Sequence, residues 1–356
     1  MSEPRKASTD QWTRLDVDPL LEWDEELLDL DPSPPDSPTR ATRVLLIGQS
    51  HDLELVSIAR KLIDRGAFVR VLLADRIASQ PSLTWPAPVE HLRFDVGLCR
   101  SHRGDQPVHY HYDRTLRHHP EWAAVPPLER SYAGEQLTTL FWALVGRIKV
   151  DRWVNDPWAV RAAENKLVQL DAAAACGLRT PRTLVTSSAE QVRAWAAQST
   201  TQVVSKSLDS PVVTVSDASA RFLYTASADA APAEDLPYPH LFQERIVADA
   251  ELRITVVGRR MFAARIRRGN GDDVDWRQRT PGPSEFEATS LPDGLRTSLD
   301  LLMQRLGLSF GGVDILCSGE DHHFLEVNPS GAFLWLERSL DIRISDTVVQ
   351  LLLAGG

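Results

Sequence analysis

Cysteine is scarce in this 356-residue chain, and its three copies, Cys99, Cys176 and Cys317, are odd in number and form no C-x-x-C pair. Such spacing speaks against a disulfide framework and for reduced thiols in a cytosol. Basic residues are outnumbered: 39 Lys and Arg face 49 Asp and Glu, a formal net charge of −10. General nucleic-acid binding needs the opposite footprint, although a local basic patch around a phosphate stays open. No apolar run approaches the ~20 residues of a membrane span. The opening MSEPRKASTDQW holds no apolar core of signal-peptide length either. The reading is therefore a cytoplasmic, soluble protein with neither nucleic acid nor membrane as partner. Hydrophobic content of 43% and charged content of 25% are ordinary for such a chain, and its length leaves room for two to three domains.

Residues 1–40 read as an acidic tail, since DVDPLLEWDEELLDLDPSPPDSP ends in a proline cluster that no helix crosses. Its centre, Leu20 to Leu30, has the pattern of a short amphipathic helix, either a solvated arm or a docking segment. Order begins near Arg43. VLLIG, a helical pattern from Leu53 to Arg65 stopped by Gly66, and FVRVLLAD make a β-α-β unit with parallel pairing. The intervening turn GQSHD lacks G-x-G-x-x-G, so no dinucleotide site is expected there. His91, His102, His109, His111, His118 and His119 crowd the next stretch without H-E-x-x-H spacing or a partner cysteine, a weak case for a metal. A helix is expected from about Leu128 to Val145.

Signals sharpen from Asn155, where Asn155 or Asp156 caps a helix with Pro157 at its first position. That helix, PWAVRAAENKLVQLDAAAAC, is alanine-rich and stops at Gly177. RTLVT, TQVVSKSL, LFQERIV, LRITVVG and RMFAARIRR read as strands, the last two joined at Gly258-Arg259. Ser187 or Ser188 caps a helix through Ala197. Leu295, Leu299, Leu302, Met303 and Leu306 line one helix face, and SDTVVQLLLAG is a final helix. The expected division is 1–40, 41–154, 155–244 and 245–356.

The chemistry concentrates in GGVDILCSGEDHHFLEVNPSG, residues 311 to 331. A three-residue loop at Gly319-Glu320-Asp321 pairs Ser318 with His322, Leu316 with Phe324 and Asp314 with Glu326. Asn328, two beyond Glu326, then shares the face of the two acids. Opposed Cβ atoms lie roughly 4.5–5.5 Å apart, so the carboxylates repel unless a cation or a shared proton separates them. Oxygen ligands without His or Cys suit Mg²⁺. The plain alternative is a surface hairpin, but Val313, Ile315, Leu325 and Val327 give solvated acids no reason to sit there. Lys166, in a helix of small residues, and Lys206, at the end of an apolar run, add the charge that phosphates need. Either lysine alone would pass for a surface side chain with its stem laid on apolar neighbours.

In this order, NDPWAVRAAENKL, CGLRTPRTLVT, VVSK, FQERIVADAELRI, GGVDIL and FLEVNPSG resemble the ATP-grasp superfamily over about Val150 to Gly356. The resemblance implies an α/β ATP-grasp fold, an N-terminal β-α-β domain, and a nucleotide between central and C-terminal subdomains. It implies ATP and Mg²⁺ as cofactors. Lys166 and Lys206 would contact phosphates, Gln243, Glu244, Arg245 and Val247 the adenine, and Glu251 the ribose hydroxyls. Asp314, Glu326 and Asn328 would hold Mg²⁺. LRITVVGRRMFAARI, VDWR and FLEVNPSGAFLWLE are similar to the branch of microviridin-type ligases that crosslink ribosomally made peptides (graspetide synthetases). That similarity implies a precursor peptide as partner and leaves room for a homodimer.

Three features depart from the pattern. SLDSPVVTVSD, after Lys206, has no glycine where many relatives place a glycine-rich lid. Gly312 stands two before Asp314, where D-alanine–D-alanine ligases carry an arginine; Arg265, Arg267 or Arg277 could supply that charge. The histidine-rich YHYDRTLRHH replaces a tryptophan-tyrosine-arginine stretch. Arg253, Arg265 and Arg277 are the candidates for binding an acyl phosphate, each with a solvated strand arginine as its alternative. Three functions compete: a peptide-crosslinking ligase joining Asp or Glu to Thr, Ser or Lys, a ligase of the glutamate-adding type, and a nucleotide-binding scaffold without catalysis.

Overall fold

The computed structural model describes residue 27 and residues 41–49, 52–74, 92–100, 126–199, 201–208, 212–216, 219–222, 226–227, 232, 234–267 and 286–354. The acidic tail apart from Leu27, all six histidines of the histidine-rich stretch, and Arg277 lie outside these residues.

The first sheet contains β1 (Arg43–Gly48), β2 (Phe68–Leu73), β3 (Arg93–Cys99) and β4 (Lys149–Val154) in the order β2-β1-β3-β4, every neighbouring pair parallel. Helices α1 (Leu53–Ile63) and α2 (Pro127–Val145) supply crossovers. The unbroken apolar run of β1 is explained by its two buried faces: Leu45 and Ile47 enter one core, Val44 and Leu46 another. Asp52 caps α1 by accepting from the Leu55 amide at 3.0 Å, and Gly66, at φ +77°, ends it as the sequence pattern required.

The single helix expected from Pro157 is two. Asp156 caps α3 (Pro157–Ala163) through the amides of Trp158 and Ala159, and Asn165 caps α4 (Lys166–Ala175) through those of Leu167 and Val168. An asparagine amide that competes for backbone donors starts a new helix. Lys166 therefore stands in the first turn of α4 rather than midway along a longer rod.

The central sheet is small. β5 (Thr183–Thr186), β6 (Val203–Lys206), β9 (Ala226–Ser227) and β10 (His240–Glu244) run β5-β10-β6-β9, all antiparallel, with α5 (Ala189–Ala196) on one face. The glycine-free segment after Lys206 leads to a two-stranded ribbon, β7 (Val212–Ser216) and β8 (Ser219–Phe222). The strand expected through Val247 ends at Glu244. Its ladder runs out where β6 begins, and the next amide, of Arg245, bonds the Gln202 carbonyl at 2.7 Å.

The C-terminal sheet contains β11 (Ala250–Val257), β12 (Arg260–Arg267), β13 (Phe286–Thr289), β14 (Phe310–Ser318) and β15 (Asp321–Asn328), ordered β13-β12-β11-β14-β15. One face packs on α6 (Asp293–Arg305) through Leu299, Leu302 and Met303. At the other, Val257, Ala264 and Phe310 share a core with α7 (Leu334–Leu340), α8 (Ile344–Leu353), α1, and Val44 and Leu46 of the first sheet. Leu27 also packs against that core. The strands β3, β4, β7, β8, β9 and β13 and the helix α7 were not expected from the sequence pattern. Lys61 of α1 and Arg65, just beyond its end, pair with Asp346 of α8 at 3.2 and 2.8 Å. Arg152 of β4 donates to the carbonyls of Leu351, Leu352 and Ala354, capping the C-terminal end of α8. First sheet and last sheet thus form one packed body. No helix among the described residues is long and apolar enough to cross a membrane.

Candidate functional site

The β14–β15 hairpin carries the acids, and its register departs from expectation in an instructive way. Ser318 pairs with Asp321, not His322, around the two-residue turn Gly319-Glu320, and Leu316 faces His323, not Phe324. Gly319 takes φ +59°, which suits a II′-type hairpin. A bulge then leaves Leu325 without an opposite residue, so Asp314 still faces Glu326 and Gly312 faces Asn328. Two offsets of one residue, at turn and bulge, cancel. Val313, Val327, Ile315 and Phe324 point into the core on one face. Asp314, Glu326 and Asn328 share the other by strand alternation.

The neighbouring strand adds to that face. Arg253 lies opposite Asp314 on β11, and its guanidinium donates to Asp314 Oδ1 at 2.6 Å, with side-chain exposures of only 12% and 10%. Glu251, two residues earlier and opposite Leu316, is also buried on this face. The missing arginine at position 312 now has an explanation. A Cβ built on Gly312 would lie 2.9 Å from Arg253 Nη2, and one on Gly331 would lie 3.1 Å from the same nitrogen. Two glycines leave a slot, and an arginine from the next strand fills it. Arg265 does not join the group: it pairs with Leu252, so it projects from the opposite side of the sheet. Arg267, opposite Ala250, projects there too and pairs with Glu287 at 3.5 Å. The expected trio of arginines is thus reduced to Arg253 among the described residues.

Lys166 reaches the same face from α4. Its ammonium donates to the Ser207 carbonyl at 3.0 Å and lies 3.9 Å from Glu326 Oε2. Gln169, one turn on, locks α4 to β15 by exchanging hydrogen bonds with the Val327 backbone at 2.7 and 2.9 Å. Lys206 faces Leu241 and stands, with Val204, Gln243 and Thr183, on the side of the central sheet away from α5. Gln243 is buried and donates to Thr183 Oγ1 at 3.0 Å. Glu244 pairs with Arg182, Arg245 with Gln202, and Val247 is exposed in the link between the two sheets. A cavity of about 570 Å³ opens here, lined by Leu170, Thr183, Val185, Glu244, Ile246 and His323. That is the size of a small-ligand pocket. Burial holds the His323 imidazole below its usual pKa, with Arg179 and His322 adding to the effect.

The donor set fits a hard divalent cation. Among the described residues no three His, Cys, Asp or Glu side chains gather into a metal site. The Asp314–Glu326 pair reaches three protein oxygens only with the amide of Asn328. A set of two carboxylates and one amide, short of a full shell, is what Mg²⁺ takes when phosphate oxygens complete it.

Sheet order, the lysines on two facing elements and the acid-bearing hairpin define the ATP-grasp fold. No protein-family profile matches the sequence, and no curated protein matches it. Solved structures do. The macrocyclase MdnC of Microcystis aeruginosa MRC, bound with precursor peptide MdnA, aligns over 88% of this chain and 100% of its own with TM-score 0.71 and 22% identity. A RiPP-associated ATP-grasp ligase of Chryseobacterium gregarium, in complex with ADP and a leader and core peptide, aligns over 87% and 96% with TM-score 0.70 and 22% identity. The macrocyclase MdnB of Microcystis aeruginosa MRC aligns over 88% and 100% with TM-score 0.66 and 26% identity.

Asn155, Arg100, Gln169 and the Gly312/Gly331 slot were not identified as site-building features from the sequence. Asn155 was legible only as a helix cap, and the remaining contacts join segments far apart in the chain.

Proposed function

We propose that the protein is an ADP-forming ligase that activates a carboxylate as its acyl phosphate and crosslinks acidic side chains of a ribosomally made precursor peptide to Thr, Ser or Lys. The observation that carries the reading is the oxygen face itself. Asp314 is set opposite Glu326, with Arg253 on the first acid and Lys166 beside the second. Such an array suits a transferring phosphoryl group, whose spread charge calls for cationic clamps rather than a protein nucleophile.

Asp314, Glu326 and Asn328 would hold Mg²⁺, which would supply positive charge to offset that of the phosphates. Lys166 and Lys206 bind phosphate from either side of the cleft, and Glu251 is the proposed partner of the ribose hydroxyls. Gln243, Glu244, Arg245 and Val247 belong to the segment proposed to frame the adenine. Arg253, seated between Gly312 and Gly331, orients the acceptor carboxylate and then the acyl phosphate. The carboxylate oxygen attacks the γ-phosphorus and ADP departs. The tethered hydroxyl or amine attacks the acyl carbon, losing its proton, and phosphate leaves. The sum is one water removed from the peptide per ATP. An intramolecular acceptor competes well with water because its effective concentration is high. The peptide-bound structural neighbours support the substrate class.

The test is incubation with acid-rich candidate peptides, ATP and Mg²⁺, read by mass spectrometry and nucleotide analysis. Loss of one water with stoichiometric ADP and phosphate is expected. AMP as the nucleotide product would refute acyl-phosphate activation, and a gain of glutamate mass would move the assignment to the glutamate-adding reaction.

A further inference from the structure

Among the described residues the N-terminal part of the chain contributes no side chain to the oxygen face, yet two of its buried polar residues hold the turn that follows Asn328. Asn155, at the end of the first sheet, is 1% exposed and takes φ +63°, a conformation that asparagine tolerates better than most residues. Its amide nitrogen donates to the carbonyls of Phe310 at 2.7 Å and Pro329 at 3.0 Å. Its amide oxygen accepts from the backbone N–H groups of Ser309 at 2.7 Å and Phe310 at 2.9 Å. One side chain thus closes the open end of the metal hairpin, tying the start of β14 to the residue after Asn328.

Arg100, at the end of β3, is 2% exposed and reaches the same turn. It donates to the Ser330 carbonyl at 3.2 Å, pairs with Asp52 at 3.0 Å, and lies over the rings of Phe310 and Phe333. Glu54, beside Asp52, accepts from the amides of Phe333 and Leu334 at 3.1 and 3.3 Å. The turn so held packs hard against the site. A Cβ on Gly331 would stand 3.0 Å from the backbone of Gly312 and 3.1 Å from the Arg253 guanidinium. The Ser330 amide donates to Asn328 Oδ1. A shift of this turn therefore moves a metal-ligand oxygen and one wall of the arginine slot together.

We infer that Asn155 and Arg100 are positioning residues: the first sheet, through the turn Pro329–Gly331, sets the orientation of Asn328 and Arg253. The inference rests on the proposed nucleotide and Mg²⁺ site. Residues that orient metal ligands typically govern about 10–100-fold of metal affinity.

The experiment is calorimetric titration of the full chain with ADP, with and without Mg²⁺. It compares wild type, Asn155→Asp, Asn155→Gly and Leu62→Ala. The aspartate keeps the acceptor and loses both donations, and glycine keeps the positive φ while removing the amide. Leu62 lies in the core shared by the two sheets, and its apolar side chain makes none of these hydrogen bonds, so its variant is the control for lost stability. Expected is a metal-dependent gain in ADP affinity for wild type that falls about 10–100-fold in the Asn155 variants. Their metal-free ADP affinity stays at the wild-type value, and Leu62→Ala keeps the full gain despite a lower Tm. Should either Asn155 variant keep the wild-type gain, or lose metal-free affinity in equal measure, the positioning role is overturned. A wild-type protein without any metal-dependent gain would remove the functional reading and this inference with it.

Discussion

The central sheet and the C-terminal sheet carry the two halves of the proposed site, Lys206 on one and Asp314, Glu326 and Asn328 on the other, but they are anchored very differently. The C-terminal sheet is buried on both sides, by α6 on one and by α7, α8 and the first sheet on the other. Among the described residues, the cluster between the central sheet and its two-turn helix is small: Val192, Val203 and Phe242 are buried, with Leu184, Trp195, Ala196 and Leu236 partly buried around them. The proposed oxygen ligands thus sit on the sheet covered on both sides and Lys206 on the more lightly covered one. Ion binding rewards fixed oxygens, whereas phosphate binding by a lysine tolerates adjustment, because an ammonium is a point charge on a flexible stem. Elements that must open for a ligand are drawn from the less stable parts of a fold.

The sharpest break of this comparison is chemical. Glu326→Gln removes a charge from the oxygen face at nearly constant volume, so turnover should fall at least about 1,000-fold, about 4 kcal/mol, with the melting temperature within a few degrees of wild type. Peptide-dependent ADP release and a thermal melt check it; undiminished turnover in a folded variant would remove Glu326 from the site.

Stability should divide along the same line. Phe333→Ala opens a cavity in the shared core and should cost about 3–5 kcal/mol, unfolding first and last sheets together. Phe242→Ala should instead raise exchange of the β6 and β10 amides while leaving those of β11 and β14 protected. Hydrogen exchange resolved by segment decides; uniform loss of protection in Phe242→Ala would show that the two regions unfold as one.

A subtler change stays on the oxygen face. Gly312→Ala puts a methyl group where the Arg253 guanidinium sits, so turnover should drop about 10–100-fold, about 1.4–2.7 kcal/mol, while the sheet persists. The pairing Gly312→Ala with Arg253→Lys, whose smaller head vacates part of the slot, should be less than additive. Strict additivity would disconnect the two residues.

The smallest effect lies at the seam between α1 and α8. Burial pushes the Asp346 carboxyl upward, but hydrogen bonds from Arg65 and Lys61 and their charges outweigh it and hold its pKa below the usual 3.8. A depressed folded pKa stabilises above the unfolded value and loses that contribution as pH falls through the folded one. Asp346→Asn should therefore cost less than about 1 kcal/mol at neutral pH and flatten the acid limb of a stability profile below about pH 4. An unchanged acid limb would show that the pair is dispensable to the seam.

Local chemistry in the sequence was enough for a good part of this architecture. Alternating apolar residues identified β11, β12, β14 and β15, while Gly66, Gly177 and Gly307 marked helix ends that the structure gives positive φ. The Asp314–Glu326 pairing was legible as well, although its route through turn and bulge was not, since a bulge costs one residue and leaves no local signature. β3 and β4 were missed because charged residues (Arg93, Asp95, Lys149, Asp151, Arg152) interrupt their apolar runs, and β7, β8, β9 and β13 because they are two to five residues long.

What the sequence alone determined is many of the elements that carry the proposed site and the identity of the charged groups, because propensity, capping and alternation act over a few residues. Tertiary structure alone decided which arginine serves the site. Arg253, Arg265 and Arg267 differ by nothing local, but strand pairing turns one toward Asp314 and the other two to the opposite side. It also decided the tasks of Asn155 and Arg100, whose hydrogen bonds to Pro329 and Ser330 span 174 and 230 residues. Contacts at that separation form only when two sheets close on one core, and no window of sequence contains both partners.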